Sequence, residues 1–506
     1  MKLKLIGLIL FCALPSFAKG GRTLAAMEPA ARETALAAMK WNDPYWDDRA
    51  AFLWTTGAEP GAGRAEASRS RRHLVRESSW YALGLLMRNG EGDRERAIRA
   101  IEAVLRNQID DPSQPYHGTF QRSPEEPRPP QRYARLFVEY DPNWREFIGT
   151  TFAMILEEYG EQLPAALRRR MEESIAKAVE GERREGRLKE TYTNISLMYG
   201  FLRVWAGQRL NRAEWTAEGQ KWCADTYKLF RTNGTFEEYN SPTYYGVDFY
   251  GLALWRVYGP TAEIKKMGAE MEADLWKDVA AYYNANLKNV AGPYDRSYGM
   301  DMTRYISLLG VWLRTALGPS LAPLPEISGQ LEHSNDLVYA PLYAVLGAKI
   351  PEDALKHFRG FIEERAIRRV ITPSRVATAW IGPDYVLGAE ATNYTREAGV
   401  QFHPATVHWK TPAGDVGWIR LYEGPRLDAR AEKGILTIAG VGDYTFRVLA
   451  NGLDVTKLGR DEWTLPGLTV QLETDAARME PKPGNGFVDL QYREATKLTL
   501  RVESRK

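Results

Sequence analysis

The sequence predicts a mainly helical protein that ends in a smaller β-domain: an N-terminal α/α toroid or incomplete barrel, followed by an antiparallel β-sandwich. From residue 22 to about 360, apolar side chains recur at three- and four-residue spacing, which is typical of amphipathic helices. Gly, Asn and Pro separate these runs. Helices are predicted throughout this region, for example at residues 23–41, 79–87, 94–107, 144–159, 165–179, 194–210, 213–230, 242–257, 275–287 and 302–317. Paired helices without a strict sequence repeat favour a closed toroid over a regular repeat array.

The pattern changes near Arg369, where short runs begin to alternate apolar and polar residues between turn residues. About eight strands or more are predicted, with runs at residues 376–380, 400–409, 417–422, 435–439, 444–449, 468–473, 486–492 and 497–502. Such a series is typical of an antiparallel sandwich. We therefore expect a signal peptide at 1–18, a toroid at 19–365 and a β-sandwich at 366–506.

The first residues have the pattern of a secretory signal: Lys2 and Lys4 precede a short apolar run, and Ser16-Phe-Ala18 suits cleavage. We expect an exported protein, secreted or periplasmic, that is not inserted in a membrane. The net charge of the whole chain is +2, which argues against a nucleic-acid partner. The 15 Trp and 26 Tyr residues are a rich supply of aromatic rings on which sugars can stack. The oligomeric state is not indicated.

One long stretch interrupts the helices. Residues 110–143 are polar and contain seven prolines, and His117 and Trp144 lie at or near the ends of this stretch. Irregular segments of this length in compact domains are usually binding loops or lids.

The most informative segment is Asn240-Ser-Pro-Thr-Tyr-Tyr245, which also follows Glu238 closely. Ser241 suits an N-cap and Pro242 suits the first helical position. Tyr244 and Tyr245 would then lie in the first turn, beside free backbone N–H groups and the positive end of the helix dipole. A phenol in that place is expected to exchange a proton more readily than one in a core.

Two further segments have the same character. Tyr192-Thr-Asn-Ile-Ser196 opens one predicted helix, and Tyr294-Asp-Arg-Ser-Tyr298 precedes another. Three polar, Tyr-rich entrances on an otherwise apolar helical body predict one shared site.

No metal site or cofactor is predicted, because the chain lacks paired metal-ligand motifs and nucleotide-binding fingerprints. Two reaction classes fit the remaining chemistry. The first is glycoside hydrolysis by paired carboxylates, with candidates Glu237, Glu238, Asp248 and Asp295. The second is β-elimination on a uronate polymer, in which a base removes the proton α to the carboxylate and an acid protonates the leaving oxygen. A glycan-binding protein without catalysis is a third reading.

Several motifs resemble those of the heparinase II/III-like and alginate- or glucuronan-lyase superfamily of toroid polysaccharide lyases. They are the helix from Ser78 to Leu86, Asn143-Trp144 with Ile148-Gly149, Tyr192-Thr-Asn194, Asn240-Ser-Pro-Thr-Tyr-Tyr245 and Ala379-Trp-Ile-Gly-Pro-Asp384.

The resemblance implies a lyase in which Asn and Arg neutralise the substrate carboxylate, and Tyr or His with Tyr serve as base and acid. The residues that match such roles are Asn194, Arg296 and Tyr298, with Tyr244 at the place of the base. No His lies beside Asn194, so Tyr244, Tyr245 or His117 remains open as the base. An acidic polysaccharide is the expected partner. The residues expected to bind it are His117, Trp144, Glu238, Asn240, Tyr245, Asp295 and Arg304.

Overall fold

The computed structural model describes residues 21–54 and 72–505, so the signal sequence expected at 1–18 lies outside the described residues. Within these ranges the chain forms a helical part and then a sheet. The helices are α1 Pro29–Asn42, α2 Val75–Arg88, α3 Asp93–Arg106, α4 Trp144–Tyr159, α5 Ala165–Glu185, α6 Thr193–Arg209, α7 Ala213–Asn233, α8 Tyr244–Tyr258, α9 Ala262–Tyr282, α10 Leu308–Leu317, α11 Ala340–Leu346 and α12 Glu352–Arg359.

The helices form two concentric layers. In the inner layer α2, α4, α6 and α8 contact one another in succession, α10 and α11 continue from α8, and α11 returns to α2 and closes the ring. Helices α3, α5, α7 and α9 pair with the inner helix before them and lie outside, and α1 packs on α10 and α11. Helix α6 is buried around its whole circumference from Thr193 to Gly207, as a helix surrounded by others should be. This arrangement confirms the predicted α/α toroid.

The second part is one antiparallel sheet of eleven strands in the described residues. The strands are β1 Arg365–Thr372, β2 Arg375–Ile381, β3 Tyr385–Ala391, β4 Ala405–Lys410, β5 Val416–Glu423, β6 Asp428–Glu432, β7 Ile435–Leu449, β8 Glu462–Leu465, β9 Leu468–Thr474, β10 Arg478–Pro483 and β11 Val488–Ser504. The order is β8-β9-β11-β7-β5-β4-β3-β2-β1, with β6 on β7 and β3, and β10 on β11. The sheet folds around its own apolar core, separate from the toroid core.

Several predicted helix starts are wrong, among them that of α9, which begins at Ala262 rather than Leu275. Two others bear on the site. Helix α8 begins at Tyr244 rather than Pro242, although the hydroxyl of Ser241 does accept a hydrogen bond from the backbone N–H of Tyr244 (3.0 Å). Helix α10 begins at Leu308 rather than Met302, after an N-cap hydrogen bond from the N–H of Gly310 to the Ser307 hydroxyl (3.1 Å). The third Tyr-rich entrance is therefore a loop and not a helix terminus.

Among residues 21–54 and 72–505, none of the helices combines the length and the apolar character that crossing a lipid bilayer requires.

Candidate active site

A cavity of about 670 Å³ opens at one end of the toroid. It lies where the inner helices begin: Arg76 near the start of α2, Trp144 on α4, Asn194 on α6, Tyr244 on α8 and Leu308 on α10 line it. All of these helices direct their N-terminal ends at one space. The ring topology thus explains why segments far apart in sequence meet there.

The structure brings the four predicted catalytic residues, Asn194, Tyr244, Arg296 and Tyr298, to this cavity. The phenolic oxygens of Tyr244 and Tyr298 lie 2.8 Å apart, and Arg296 Nη2 donates to the Tyr244 oxygen at 2.6 Å. The Arg296 guanidinium also lies 3.7 Å from the centre of the Tyr244 ring. Tyr298 is 39% exposed, whereas Tyr244 is largely covered.

Burial raises the pKa of Tyr244 well above its ordinary value, and the neighbouring Tyr298 adds to this effect while Arg296 opposes it. The expectation that its place at a helix start would ease its ionisation is therefore wrong. Loss of hydration outweighs the helix dipole, and Tyr244 is a neutral phenol at pH 7.

Asn194 and Arg296 share an internal partner. The side-chain amide of Asn194 donates to Glu238 Oε2 at 2.5 Å, and Arg296 Nη1 donates to Glu238 Oε1. Burial raises the pKa of Glu238, and the contacts with Arg296 and Asn194 oppose that rise. Glu238 thus lies behind the cavity wall and holds the predicted neutralising pair, rather than facing the substrate as expected.

Trp144, which was expected to bind the substrate, lines the cavity together with Phe147. Arg76 lies over both rings and over Trp80, with its guanidinium carbon 5.1, 5.0 and 4.7 Å from the ring centres, and it donates to Glu77 at 2.6 Å. These cation–π contacts fix the orientation of Arg76. The result is an aromatic wall with a fixed cation beside it.

The long loop at 110–143 contributes to the same space, since Arg122, Phe137, Asp141 and Asn143 line the cavity. Asn143 donates to the Tyr192 hydroxyl at 2.8 Å and accepts from Arg187 at 2.8 Å. Burial raises the pKa of Asp141.

Sequence reasoning missed His333. It lines the cavity, with its ring centre 5.3 Å from that of Tyr298 and 5.7 Å from that of Tyr305. Burial lowers the pKa of His333 to about 4, so the ring is neutral at pH 7. The residue has a left-handed backbone (φ 57°), a conformation that no sequence pattern around it indicates. The one available signal was a histidine just before the apolar run at 337–346.

Three predicted binding residues are buried away from the cavity. His117 lies inside the long loop with Nδ1 3.6 Å from Asp110, and burial lowers its pKa. Asn240 uses its amide to bind the carbonyls of Ala291 and Pro293, at 2.7 and 2.8 Å. Tyr245 is 1% exposed and packs in the toroid core, because the residue after Tyr244 points to the opposite side of the helix start.

Two predicted binding residues are engaged in ion pairs instead. Asp295 pairs with Arg375 and Arg396 of the β-domain, the former at 3.2 Å. Arg304 pairs with Asp301 at 3.3 Å and with Asp415 at 2.6 Å. Neither lines the cavity.

Of the carboxylates proposed for hydrolysis, Asp248 is completely buried, and within the described part of the chain neither of its oxygens has a hydrogen-bond partner. Burial and the nearby Glu238 raise its pKa well above the ordinary value, and Arg296 opposes that rise. In the same described part, no three His, Cys, Asp or Glu side chains are grouped so as to hold a metal ion.

A family described as a domain of unknown function (DUF8769) matches residues 33–348, which include the whole cavity except Gln401. The chain belongs to this family. A second domain of unknown function (DUF8770) matches residues 365–484 in the sheet. No curated protein sequence matches the chain.

Three solved structures are similar over most of the DUF8769 protein. Heparinase III has 10% identity and a TM-score of 0.44, covering 94% of this chain and 85% of its own. Chondroitin AC lyase of Streptomyces coelicolor A3, in complex with chondroitin sulphate, has 10% identity and a TM-score of 0.47, with 95% and 80% covered. Endoglucanase CelQ of Clostridium thermocellum, complexed with cellobiose and cellotriose, has 9% identity and a TM-score of 0.31, with 94% and 92% covered.

Proposed function

We propose that this protein is a polysaccharide lyase that cleaves a uronic-acid-containing glycan, of the alginate or glucuronan kind, by β-elimination. The observation that carries the proposal is the hydrogen-bonded series from Arg296 through Tyr244 to Tyr298 in the cavity wall.

The direction of these hydrogen bonds assigns the roles. A guanidinium has no acceptor, so the Tyr244 oxygen accepts from Arg296. The hydroxyl hydrogen of Tyr244 is then available to Tyr298, 2.8 Å away. Negative charge on the Tyr298 oxygen is stabilised by this donor and, through it, by the Arg296 cation. Tyr298, the more exposed phenol, is therefore the group that exchanges protons with the substrate.

The reaction needs two proton transfers and one bond cleavage. Tyr298 as phenolate removes the proton on the carbon α to the uronate carboxylate, and the electron pair of that C–H bond forms the new C=C bond as the adjacent glycosidic C–O bond breaks. The same phenol returns the proton to the departing oxygen. No redox step is involved, so the reaction needs no redox cofactor.

The developing charge on the substrate carboxylate must also be offset. Asn194 and Arg296 remain on the cavity wall while Glu238 holds them from behind, so their free N–H groups can face the substrate. The inner helices add the positive ends of their dipoles at the same place. Both effects strengthen as negative charge develops, which is what lowers the barrier.

His333 is the alternative to Tyr298 for the first proton transfer. Its neutral imidazole can accept a proton at pH 7, and its ring lies against Tyr298. In that arrangement Tyr298 would act as the acid alone.

The test is incubation of the purified protein with alginate, glucuronan, hyaluronan, chondroitin and heparan. A lyase generates unsaturated ends that absorb in the ultraviolet together with new reducing ends. A hydrolase generates reducing ends without that absorbance, and a binding protein generates neither. Reducing ends without absorbance, or no product from any polymer, would refute the proposed lyase activity.

A glycoside hydrolase is the second candidate, and Asp141 favours it. This carboxyl lines the cavity and its pKa is raised by burial, as suits a general acid. Two of the carboxylates predicted from the sequence do not suit glycoside hydrolysis. Glu238 is bound by Asn194 and Arg296. Asp295 is paired with two arginines of the β-domain.

The signal-like N-terminus supports the further proposal that the protein is exported and meets its acidic polysaccharide outside the cytoplasm.

A further inference from the structure

We propose that the β-domain holds Arg296 and Tyr298 in their working positions through Asp295, with Arg375 as a positioning residue. This inference rests on the lyase function proposed above, because it concerns the same two side chains. The β-domain would then contribute to turnover, although Arg375 lies far from Arg296 and Tyr298 in the sequence.

The segment that carries both side chains is paired to the β-domain by its backbone. Tyr294 and His403 exchange two backbone hydrogen bonds, at 3.1 and 2.9 Å, and the N–H of Ser297 donates to the carbonyl of Gln401 at 2.9 Å. Gln401 itself lines the cavity, as Tyr298 does. The β-domain thus forms part of the cavity wall and holds the segment immediately around Arg296.

The other side of the same segment is fixed to the toroid. The N–H of Asp295 donates to the carbonyl of Tyr239 at 3.1 Å, and the Ser241 hydroxyl donates to the carbonyl of Arg296. Ser241 also accepts the hydrogen bond that starts the helix of Tyr244. The position of Arg296 relative to Tyr244 therefore depends on a segment held between the two domains.

A buried ion network provides the side-chain anchor. The Asp295 carboxylate pairs with Arg375 at 3.2 Å and with Arg396, and Arg375 Nε donates to Glu390 at 2.7 Å. Arg375 also donates to the carbonyl of Glu237 at 2.9 Å. The side chains of Asp295, Arg375 and Glu390 are 7%, 11% and 0% exposed. Removing Arg375 takes from the buried Asp295 and Glu390 one of the two cations that they share, and only Arg396 then remains to hold them. Loss of a partner in a buried ion network is destabilising, so this anchor is weakened.

The consequence for turnover follows from sequence proximity. Asp295 directly precedes Arg296 and stands three residues before Tyr298. A displacement of about 1 Å in groups that transfer protons can cost on the order of 10²-fold in rate. Loss of Arg375 should therefore slow the chemical step while leaving the aromatic wall, and hence most of the substrate binding, intact.

A second interdomain ion pair offers a matched control. Arg369 of the β-domain donates to the buried Asp278 of α9 at 2.6 and 3.0 Å. Within residues 21–54 and 72–505, these hydrogen bonds do not involve the segment at 294–298. Removing either arginine leaves one buried aspartate of the toroid without that partner. Of these two arginines, Arg375 pairs with Asp295 and Arg369 does not.

The experiment compares full-length Arg375→Gln, Arg375→Lys and Arg369→Gln with the wild type. Initial rates on the best uronate polymer give kcat and KM, and hydrogen exchange followed by mass spectrometry reports on the backbone at 293–300. We expect Arg375→Gln to lower kcat by about tenfold or more at an unchanged KM and to speed exchange at 293–300. Arg375→Lys should recover part of the loss, because it keeps the charge but not the two-pronged contact.

Arg369→Gln should lower the Tm about as much as Arg375→Gln does. It should change neither kcat nor the rate of hydrogen exchange at 293–300. Equal loss of kcat in both Gln variants, or wild-type kcat and exchange in Arg375→Gln, would overturn the proposal. If Arg375→Gln does not fold, Arg375→Lys and Arg396→Gln take its place with the same expected direction. A wild type without activity on any uronate polymer would refute the proposed function, whereas the exchange comparison would still decide how the segment is held.

Discussion

The phenolic oxygens of Tyr244 and Tyr298 lie 2.8 Å apart, although the two residues come from a helix start and from a loop more than fifty positions later. The Tyr244 phenol is half-buried and kept neutral, and the Tyr298 phenol is open to the cavity. Because of this difference, Tyr244 can serve as a fixed hydrogen-bond donor while Tyr298 can contact the substrate. The proposed mechanism requires these two separate roles.

The first prediction tests Tyr298 directly. Tyr298→Phe removes the proton-transferring oxygen but keeps the ring, so we expect an intact fold and substrate binding with kcat lowered by about 10²-fold or more. Ultraviolet initial rates and thermal melting measure the two effects. Tyr227→Phe is the matched control, because its phenol also gives up a hydrogen bond, to Glu270 at 2.5 Å, but on the outer helix α7 away from the cavity.

A Tyr298→Phe protein with wild-type turnover would remove Tyr298 from the mechanism. Retained activity of that variant, combined with an inactive Asp141→Asn, would favour the hydrolase instead.

The second prediction concerns the buried pair of Glu238 and Arg296. Arg296→Gln leaves Glu238, whose side chain is 9% exposed, without its cation. We expect a loss of about 2 kcal/mol in the free energy of unfolding, less than for a fully buried pair because Arg296 is itself 28% exposed. Adding Glu238→Gln should recover most of that loss, since no buried charge then remains. Denaturant unfolding of the two variants measures the difference, and a double variant no more stable than the single one would contradict it.

The third prediction separates two histidines. His117→Gln should keep kcat within about twofold of wild type, because His117 lies outside the cavity. His333→Gln should lower kcat by about tenfold or more, because His333 packs against Tyr298 inside it. Steady-state kinetics of the two variants measures kcat, and the Tm of each variant shows whether it is folded. An inactive His117→Gln with an unchanged Tm would restore the residue as a candidate base.

Much of the fold was predictable because burial imposes periodicity. The span predicted for α4 is reproduced to the residue, and α6 and α7 differ by a few residues at their ends. The failures have physical causes. Strand β3 was missed because five consecutive residues, from Val386 to Glu390, are buried on both faces and show no alternation. The long strand β7 was read as two, because Gly440-Val-Gly442 resembles a turn but forms a bulge within the strand.

The site was predictable in part. Asn194 and Tyr244 were found because polar residues at the starts of apolar helices converge when the helices form a ring. Asn240 and Asp295 have the same polarity but serve the backbone and the β-domain, and sequence alone does not distinguish a group that binds substrate from one that holds the chain. His333 was missed because a left-handed backbone in an irregular segment, not a periodic pattern, directs it to the cavity.

The fourth prediction is a pH dependence of stability caused by His333. Its pKa in the folded protein is about 4, below the ordinary value of 6.5, because burial disfavours the charged ring. Above pH 6.5 both the folded and the unfolded states hold the neutral ring, and the full stability is present. As the pH falls from 6.5 towards 4 the unfolded state takes up the proton first, so stability is lost through this window. For one such group the loss by pH 4 is about 3 kcal/mol.

The free energy of unfolding should therefore fall more steeply with decreasing pH in the wild type than in His333→Gln. A constant difference between the two proteins is not expected. His408, with its pKa lowered to about 4, and His403, with its pKa lowered well below the ordinary value, add similar dependences in both proteins and cancel in the comparison. Denaturant unfolding at pH 7, 6, 5 and 4 should show the wild type losing about 3 kcal/mol more than the variant. Parallel curves would mean that His333 takes up its proton as easily in the folded chain as in the unfolded one, and its neutral state could then not be used to explain proton transfer at pH 7.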